Sequence, residues 1–91
     1  MEISLRGMTK NLTDILKNKN CFITGATGGI GRRIAGKMAE SGCNLFLTSS
    51  DVEGLKKIKE ELKNISVAYE PGDLNKIEDI ERIVDKAKRE F

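Results

Sequence analysis

The sequence predicts an α/β fold in which three parallel strands alternate with three helices, and three observations carry that reading. Short apolar runs recur along the chain: Cys21-Phe22-Ile23-Thr24, Leu45-Phe46-Leu47, and the alternating Ile65, Val67 and Tyr69. After each of them, apolar residues return at helical spacing. The intervals between runs are long enough for a parallel crossover, which needs a dozen or so residues. Right-handed crossovers then place the strands in the order 3-2-1 within a βαβαβα chain.

Each element has its own signal. Residues 1–18 show no clean period and form a lead-in to a domain at 19–91; Leu12, Ile15 and Leu16 could make one helical turn, capped by Thr9 or Asn11, or simply lie on the next element. The run from Cys21 to Thr24 stops at a glycine, as a buried strand does. Ile30, Ile34, Ala35, Met38 and Ala39 then mark a helix face, and Gly42 stands where that helix stops. Leu45-Phe46-Leu47 is the second strand, followed by the polar turn Thr48-Ser49-Ser50-Asp51. Val52, Leu55, Ile58 and Leu62 define one face of the second helix, with lysines and glutamates opposite. Ile65, Val67 and Tyr69 alternate as a third strand that Pro71-Gly72 ends. Ile77, Ile80, Ile83, Val84, Ala87 and Phe91 give a third helix, expected on the opposite face of the sheet.

Composition excludes several classes of function. Ninety-one residues make one small domain, and 38% hydrophobic with 33% charged residues suits a globular chain. The net charge of +2 comes from 16 basic and 14 acidic residues that are interspersed. With no basic block and no Trp, a nucleic-acid partner is not expected. The apolar runs are too short to cross a bilayer, and Met1-Glu2-Ile3-Ser4-Leu5-Arg6 lacks the apolar core of a secretory signal. Cys21 and Cys43 have no C-x-x-C spacing and the chain has no His, so both read as reduced core residues of a cytoplasmic protein.

The glycine turn carries the chemistry. Thr24-Gly25-Ala26-Thr27-Gly28-Gly29-Ile30-Gly31 follows an apolar strand and opens an amphipathic helix, the context that gives such a motif meaning. Gly25 lets the chain turn off the strand, while Gly29 and Gly31 put no side chain in the way of a pyrophosphate or of helix–sheet packing. Free N–H groups and the helix dipole then favour negative charge. Walker A fails, because no Lys-Ser or Lys-Thr follows. G-x-G-x-x-G fails too, since Ile34 stands at the third glycine. What fits is T-G-x-x-x-G-x-G, at Thr24, Gly25, Gly29 and Gly31.

From Leu16 to Phe91 the chain resembles the short-chain dehydrogenase/reductase family, which implies the N-terminal half of a Rossmann fold. Leu16-Lys17-Asn18-Lys19 is similar to the family's lead-in to its first strand. Gly72-Asp73-Leu74 is similar to its adenine-contacting Asp and following aliphatic residue, and Lys86 to Phe91 to the helix end before its fourth strand. Gly25, Gly28 and Gly31 also satisfy T-G-x-x-G-x-x-G of the extended, sugar-nucleotide epimerase-like branch. The Gly29-Ile30-Gly31 ending favours the compact oxidoreductase branch.

The resemblance implies a dinucleotide cofactor held by Thr24, Gly25, Thr27, Gly28, Gly29, Ile30 and Gly31 at the phosphates. It adds Ser49, Ser50 and Asp51 at the ribose, and Asp73 with Leu74 at the adenine. The family's acidic, NAD-selecting position falls on Ser49 and the basic, NADP-selecting one on Ser50. Small hydroxyls tolerate a 2′-phosphate, which inclines the choice to NADP, while Asp51 keeps NAD open. These residues also have plainer readings. Ser49, Ser50 and Asp51 can cap the second helix, Asp73 can cap or turn before the third, and Arg32 and Arg33 can simply be solvated.

Family chemistry rests on Tyr-x-x-x-Lys with Ser and Asn, moving hydride between nicotinamide and a carbonyl or alcohol, as in a 3-oxoacyl reductase. The one tyrosine is Tyr69, and Asp73 rather than lysine lies four residues on. No catalytic residue carries over. The expectation is an N-terminal, cofactor-binding part of an NAD(P)-dependent oxidoreductase, inactive alone. The alternatives are a stand-alone nucleotide-binding or assembly module and part of an extended-branch epimerase. With no fourth strand, the first becomes an open edge through which a homo-oligomer is expected to form.

Overall fold

The fold is known from a computed structural model, which describes residues 15–91. Thr9, Asn11 and Leu12, named above as part of one helical turn, lie outside the described residues. The elements run β1 (Asn20–Ile23), α1 (Gly29–Glu40), β2 (Asn44–Ser49), α2 (Val52–Glu61), β3 (Val67–Pro71) and α3 (Ile77–Glu90). The sheet is parallel, with β2 between β1 and β3, the order read from the sequence. Cys21 pairs with Leu45 and Leu45 with Val67, so the three strands end along one rim.

Alternation along the strands divides the apolar residues between two layers. Ile23, Leu45, Leu47 and Val67 face α1 and α2, where Ala35, Leu55 and Ile58 meet them. Phe46 faces the other way, stacked on Phe22 at 5.3 Å between ring centroids and touched edge-on by Phe91 at 6.4 Å. α3 covers that second face with the fully buried Ile83. Burying a side chain such as Leu45, Leu47 or Phe46 contributes about 2 kcal/mol each.

Several helix-face assignments shift. α1 does not turn Ile30 and Ile34 inward; they are 78% and 42% exposed, and the inward stripe runs through the buried Ala35 and the half-buried Gly31, Met38 and Ala39. The cause is proximity: α1 lies too close to the glycine turn for a side chain at position 31. Thr48 is a strand residue rather than a turn residue, fully buried, and its Oγ1 donates to the Glu70 carbonyl at 2.8 Å. Val52, Ile77, Ile80 and Val84 are exposed, leaving Leu55, Ile58 and Ile83 to hold α2 and α3. α1 closes in a Schellman turn, with Cys43 N–H on the Met38 carbonyl, Gly42 N–H on Ala39, and Gly42 at φ +84°.

The two edges of the sheet differ. On the outer side of β3, the Tyr69 carbonyl accepts from Lys86 Nζ at 3.0 Å and the Pro71 carbonyl from Arg82 at 2.7 Å. Pro71 itself has no N–H to offer. Among the described residues, β1 pairs only with β2, and its outer edge carries no such cover.

Candidate functional site

The predicted site residues converge on the rim formed by the C-terminal ends of the strands. Gly25 leaves β1 at φ +59°, a left-handed conformation that costs glycine nothing. Gly28 N–H closes the turn on the Gly25 carbonyl at 3.1 Å, and Ala26, fully buried, ties the turn to the Thr48 carbonyl at 3.2 Å. Gly28 then becomes the N-cap of α1, with no capping side chain and no acidic residue in the first turn. Among the described residues, the N–H groups of Gly29, Ile30 and Gly31 meet no protein acceptor. The positive end of α1 is therefore open to an anion.

The two inner glycines of the motif have different reasons. A Cβ on Gly31 would collide with the Gly25 carbonyl oxygen and lie 2.9 Å from its carbon, so Gly31 fixes the closeness of turn and helix. A Cβ on Gly29 would meet nothing within 4 Å. Nothing among the described residues requires glycine there. Open space at a bare helix N-terminus is what a phosphate group needs, and the residues present fit that group. Thr24 and Gly25 are exposed on the same turn, and Ile30 lays an apolar side chain beside it.

At the end of β2 the hydroxyls of Thr27 and Ser49 lie 2.6 Å apart, linking the glycine turn to the second strand. Ser49 Oγ also accepts from Asp51 N–H at 3.1 Å. One of the pair's two protons lies between the oxygens, so the other remains to be donated outward. Ser50 is exposed beside it. Asp51 takes the capping role, its Oδ1 accepting from Gly54 N–H at 3.0 Å. A groove of about 560 Å³ opens between the starts of α1 and α2, lined by Thr27, Arg32, Asp51, Gly54, Lys57 and Ile58. Arg32 is turned along it to an exposed pair with Glu61 at 2.8 Å.

The third part of the rim follows β3. Gly72 N–H donates to the Ser49 carbonyl at 3.0 Å, placing the Asp73-Leu74 turn beside β2. Asp73 makes a turn rather than a cap: its Oδ1 accepts from Asn75 N–H at 2.9 Å, and its carbonyl from Lys76 N–H at 3.0 Å. Leu74 is exposed on the rim.

Three residues not singled out from the sequence support this end. Arg82 donates to Glu70 Oε2 and to Asp79 Oδ1, both at 2.8 Å, and Asp79 Oδ2 accepts from Asp73 N–H at 2.8 Å. Burial pushes the Glu70 carboxyl up, but Lys86 and Arg82 outweigh it and hold it below the usual range. The Asp73 N–H, and then Arg82, hold Asp79 low. Asp79 and then Glu70 raise the guanidinium of Arg82 in turn. Gly54 was also missed: a Cβ there would lie 2.7 Å from Thr27 Cγ2, and a glycine inside a helical pattern was the available signal. Burial, with a smaller effect from Cys43, pushes the Cys21 thiol up, and both thiols are free. Among the described residues no cluster of metal ligands is present, and no helix is long and apolar enough to cross a membrane.

Comparison with known proteins places the chain in a family. The family model described as short chain dehydrogenase matches residues 19–91, and the chain belongs to that family. Among individual relatives, an uncharacterized oxidoreductase of Listeria monocytogenes is 39% identical over 74 residues, 79% of this chain and 30% of that protein. The cis-3,4-dihydrophenanthrene-3,4-diol dehydrogenase of Alcaligenes faecalis is 30% identical over 76 residues, 84% of this chain and 27% of its own length. In three dimensions the chain is similar to an alcohol dehydrogenase from the archaeon Thermococcus sibiricus, solved in complex with 5-hydroxy-NADP. The TM-score is 0.79 at 36% identity, over 82% of this chain and 33% of that one. The fold is thus the Rossmann-like half found in this oxidoreductase family, and the chain matches about a third of the length of these relatives.

Proposed function

We propose that residues 19–91 form the dinucleotide-binding part of an NAD(P)-dependent short-chain oxidoreductase, with residues 1–18 as its lead-in. The open helix start at Gly29, where among the described residues neither a side chain nor a protein acceptor fills the space, is the observation that carries this reading. In it, the N–H groups of Gly29, Ile30 and Gly31 face the pyrophosphate. Thr24, Gly25, Thr27 and Gly28 shape the turn that holds it. Ser49, Ser50 and Asp51 border the ribose, and Asp73 with Leu74 the adenine. The cofactor, when bound, supplies hydride transfer to a carbonyl or from an alcohol, and this chain binds and orients it.

NADP is the preferred cofactor in this reading. The rim at β2 offers the spare proton of the Thr27–Ser49 pair to an acceptor, and the Asp51 carboxylate is already engaged by Gly54 N–H. The archaeal neighbour's NADP-type ligand is consistent with it. The reading extends to a cytoplasmic protein and to self-association along the uncovered edge of β1.

Titration calorimetry with NADP and NAD on the wild-type chain and on Gly29→Val tests the proposal. Binding of NADP that is tighter than that of NAD, and lost in the variant while its circular dichroism stays unchanged, is the expected result. No heat from the folded wild-type chain at millimolar dinucleotide would leave an assembly role instead.

A further inference from the structure

We infer that Asp79 and Arg82 are positioning residues for the adenine end of the site, acting through the backbone of Asp73; the inference rests on the dinucleotide reading above. The Asp73-Leu74 turn follows the last strand residue, Pro71, at the rim where ligands of parallel α/β sheets bind. A turn of this kind is held by few backbone bonds, and here its leading N–H is taken by a carboxylate from α3. That carboxylate is itself held by a guanidinium, Arg82, which also grips Glu70 and the Pro71 carbonyl. Four charge-assisted bonds thus connect β3, the turn and the first turns of α3 into one unit.

The arrangement leaves the carboxylate of Asp73 half free. Its Oδ1 accepts from Asn75 N–H, which fixes the side-chain orientation. Oδ2 has no donor among the described residues and is open to one from a ligand. A base with an exocyclic amino group supplies such a donor, and the exposed Leu74 supplies apolar surface for its ring. Asp79 and Arg82 touch neither; they set where Asp73 stands. The close approach of Gly72 to Ile83, where a Cβ would lie 2.9 Å from Cδ1, keeps the turn against α3.

The test compares NADP with its hypoxanthine analogue, in which a carbonyl replaces the amino group. Wild-type chain is expected to bind NADP about tenfold more tightly than the analogue, the worth of one charge-assisted hydrogen bond. Asp79→Ala should bring the two affinities together by weakening NADP alone. Asp79→Asn, which keeps a carbonyl for the Asp73 N–H, should restore most of the preference. A role in stability alone would weaken both ligands equally in Asp79→Ala. That outcome, or an undiminished preference, overturns the inference. Equal binding of both ligands by wild type overturns it while the dinucleotide reading stands. No binding of either ligand overturns both.

Discussion

Two glycines two positions apart, Gly29 and Gly31, separate what the fold needs from what the ligand needs. Gly31→Ala drives a methyl group into the Gly25 backbone, and such overpacking costs about 2 kcal/mol. Urea unfolding should show that loss in the midpoint. Gly29→Ala meets open space and should leave stability within about 0.5 kcal/mol of wild type, while weakening dinucleotide binding. Equal destabilisation by both changes would contradict this division. The motif itself was legible in the sequence because its spacing reflects turn geometry. The phase of α1 was not: Ile30 and Ile34 score as core residues, but the positions nearest the sheet are the small Gly31 and Ala35. Thr48 misleads in the same way, since its hydroxyl is satisfied by a carbonyl that only the paired strand provides.

At the scale of elements, α3 is docked by one buried side chain, Ile83, and by its charges. Its acidic residues Glu78 and Asp79 stand at the start and Lys88 and Arg89 at the end, as the helix dipole favours. Glu70 and Asp79 are held below their usual values, near 4.3 and 3.9 when unfolded, so the folded state favours their charged forms. Their contribution is fully present at neutral pH and is lost as the pH falls through the lowered values. Thermal unfolding between pH 7 and pH 3 should therefore show a falling Tm below about pH 4. Arg82→Met should lower Tm at pH 7 and flatten that acid dependence; a slope unchanged by the substitution would remove Arg82 from the network. Strand and helix here were legible from apolar spacing, and the turn from Pro71-Gly72. The bonds joining them were not, because Glu70 and Arg82 stand 12 residues apart and no short-range pattern pairs them.

Across the whole molecule, the strand order 3-2-1 was read from alternating strands and helices with right-handed crossovers, and the structure has it. What the apolar pattern left open was the cover on the β3 edge. β3 is closed to further pairing by Arg82, Lys86 and Pro71, whereas among the described residues nothing pairs with the outer edge of β1, beside Phe22, which is 46% exposed and stacked on Phe46. An uncovered edge next to an apolar surface favours pairing with another strand. Light scattering behind size exclusion should find the chain dimeric at micromolar concentration, and Phe22→Asp should shift it to monomer. A monomeric wild-type chain at all concentrations would contradict self-association along β1.

The open start of α1 is proposed to receive the phosphates of a nicotinamide dinucleotide, and every other part of the site is arranged around it. Titrating NADP into isotope-labelled chain and following each backbone amide by NMR tests it most directly. The largest shifts should fall on Gly29, Ile30 and Gly31, with smaller ones at Ser49 to Asp51 and at Asp73 and Leu74. Shifts confined to other surfaces, or none at millimolar NADP from a folded chain, would contradict it.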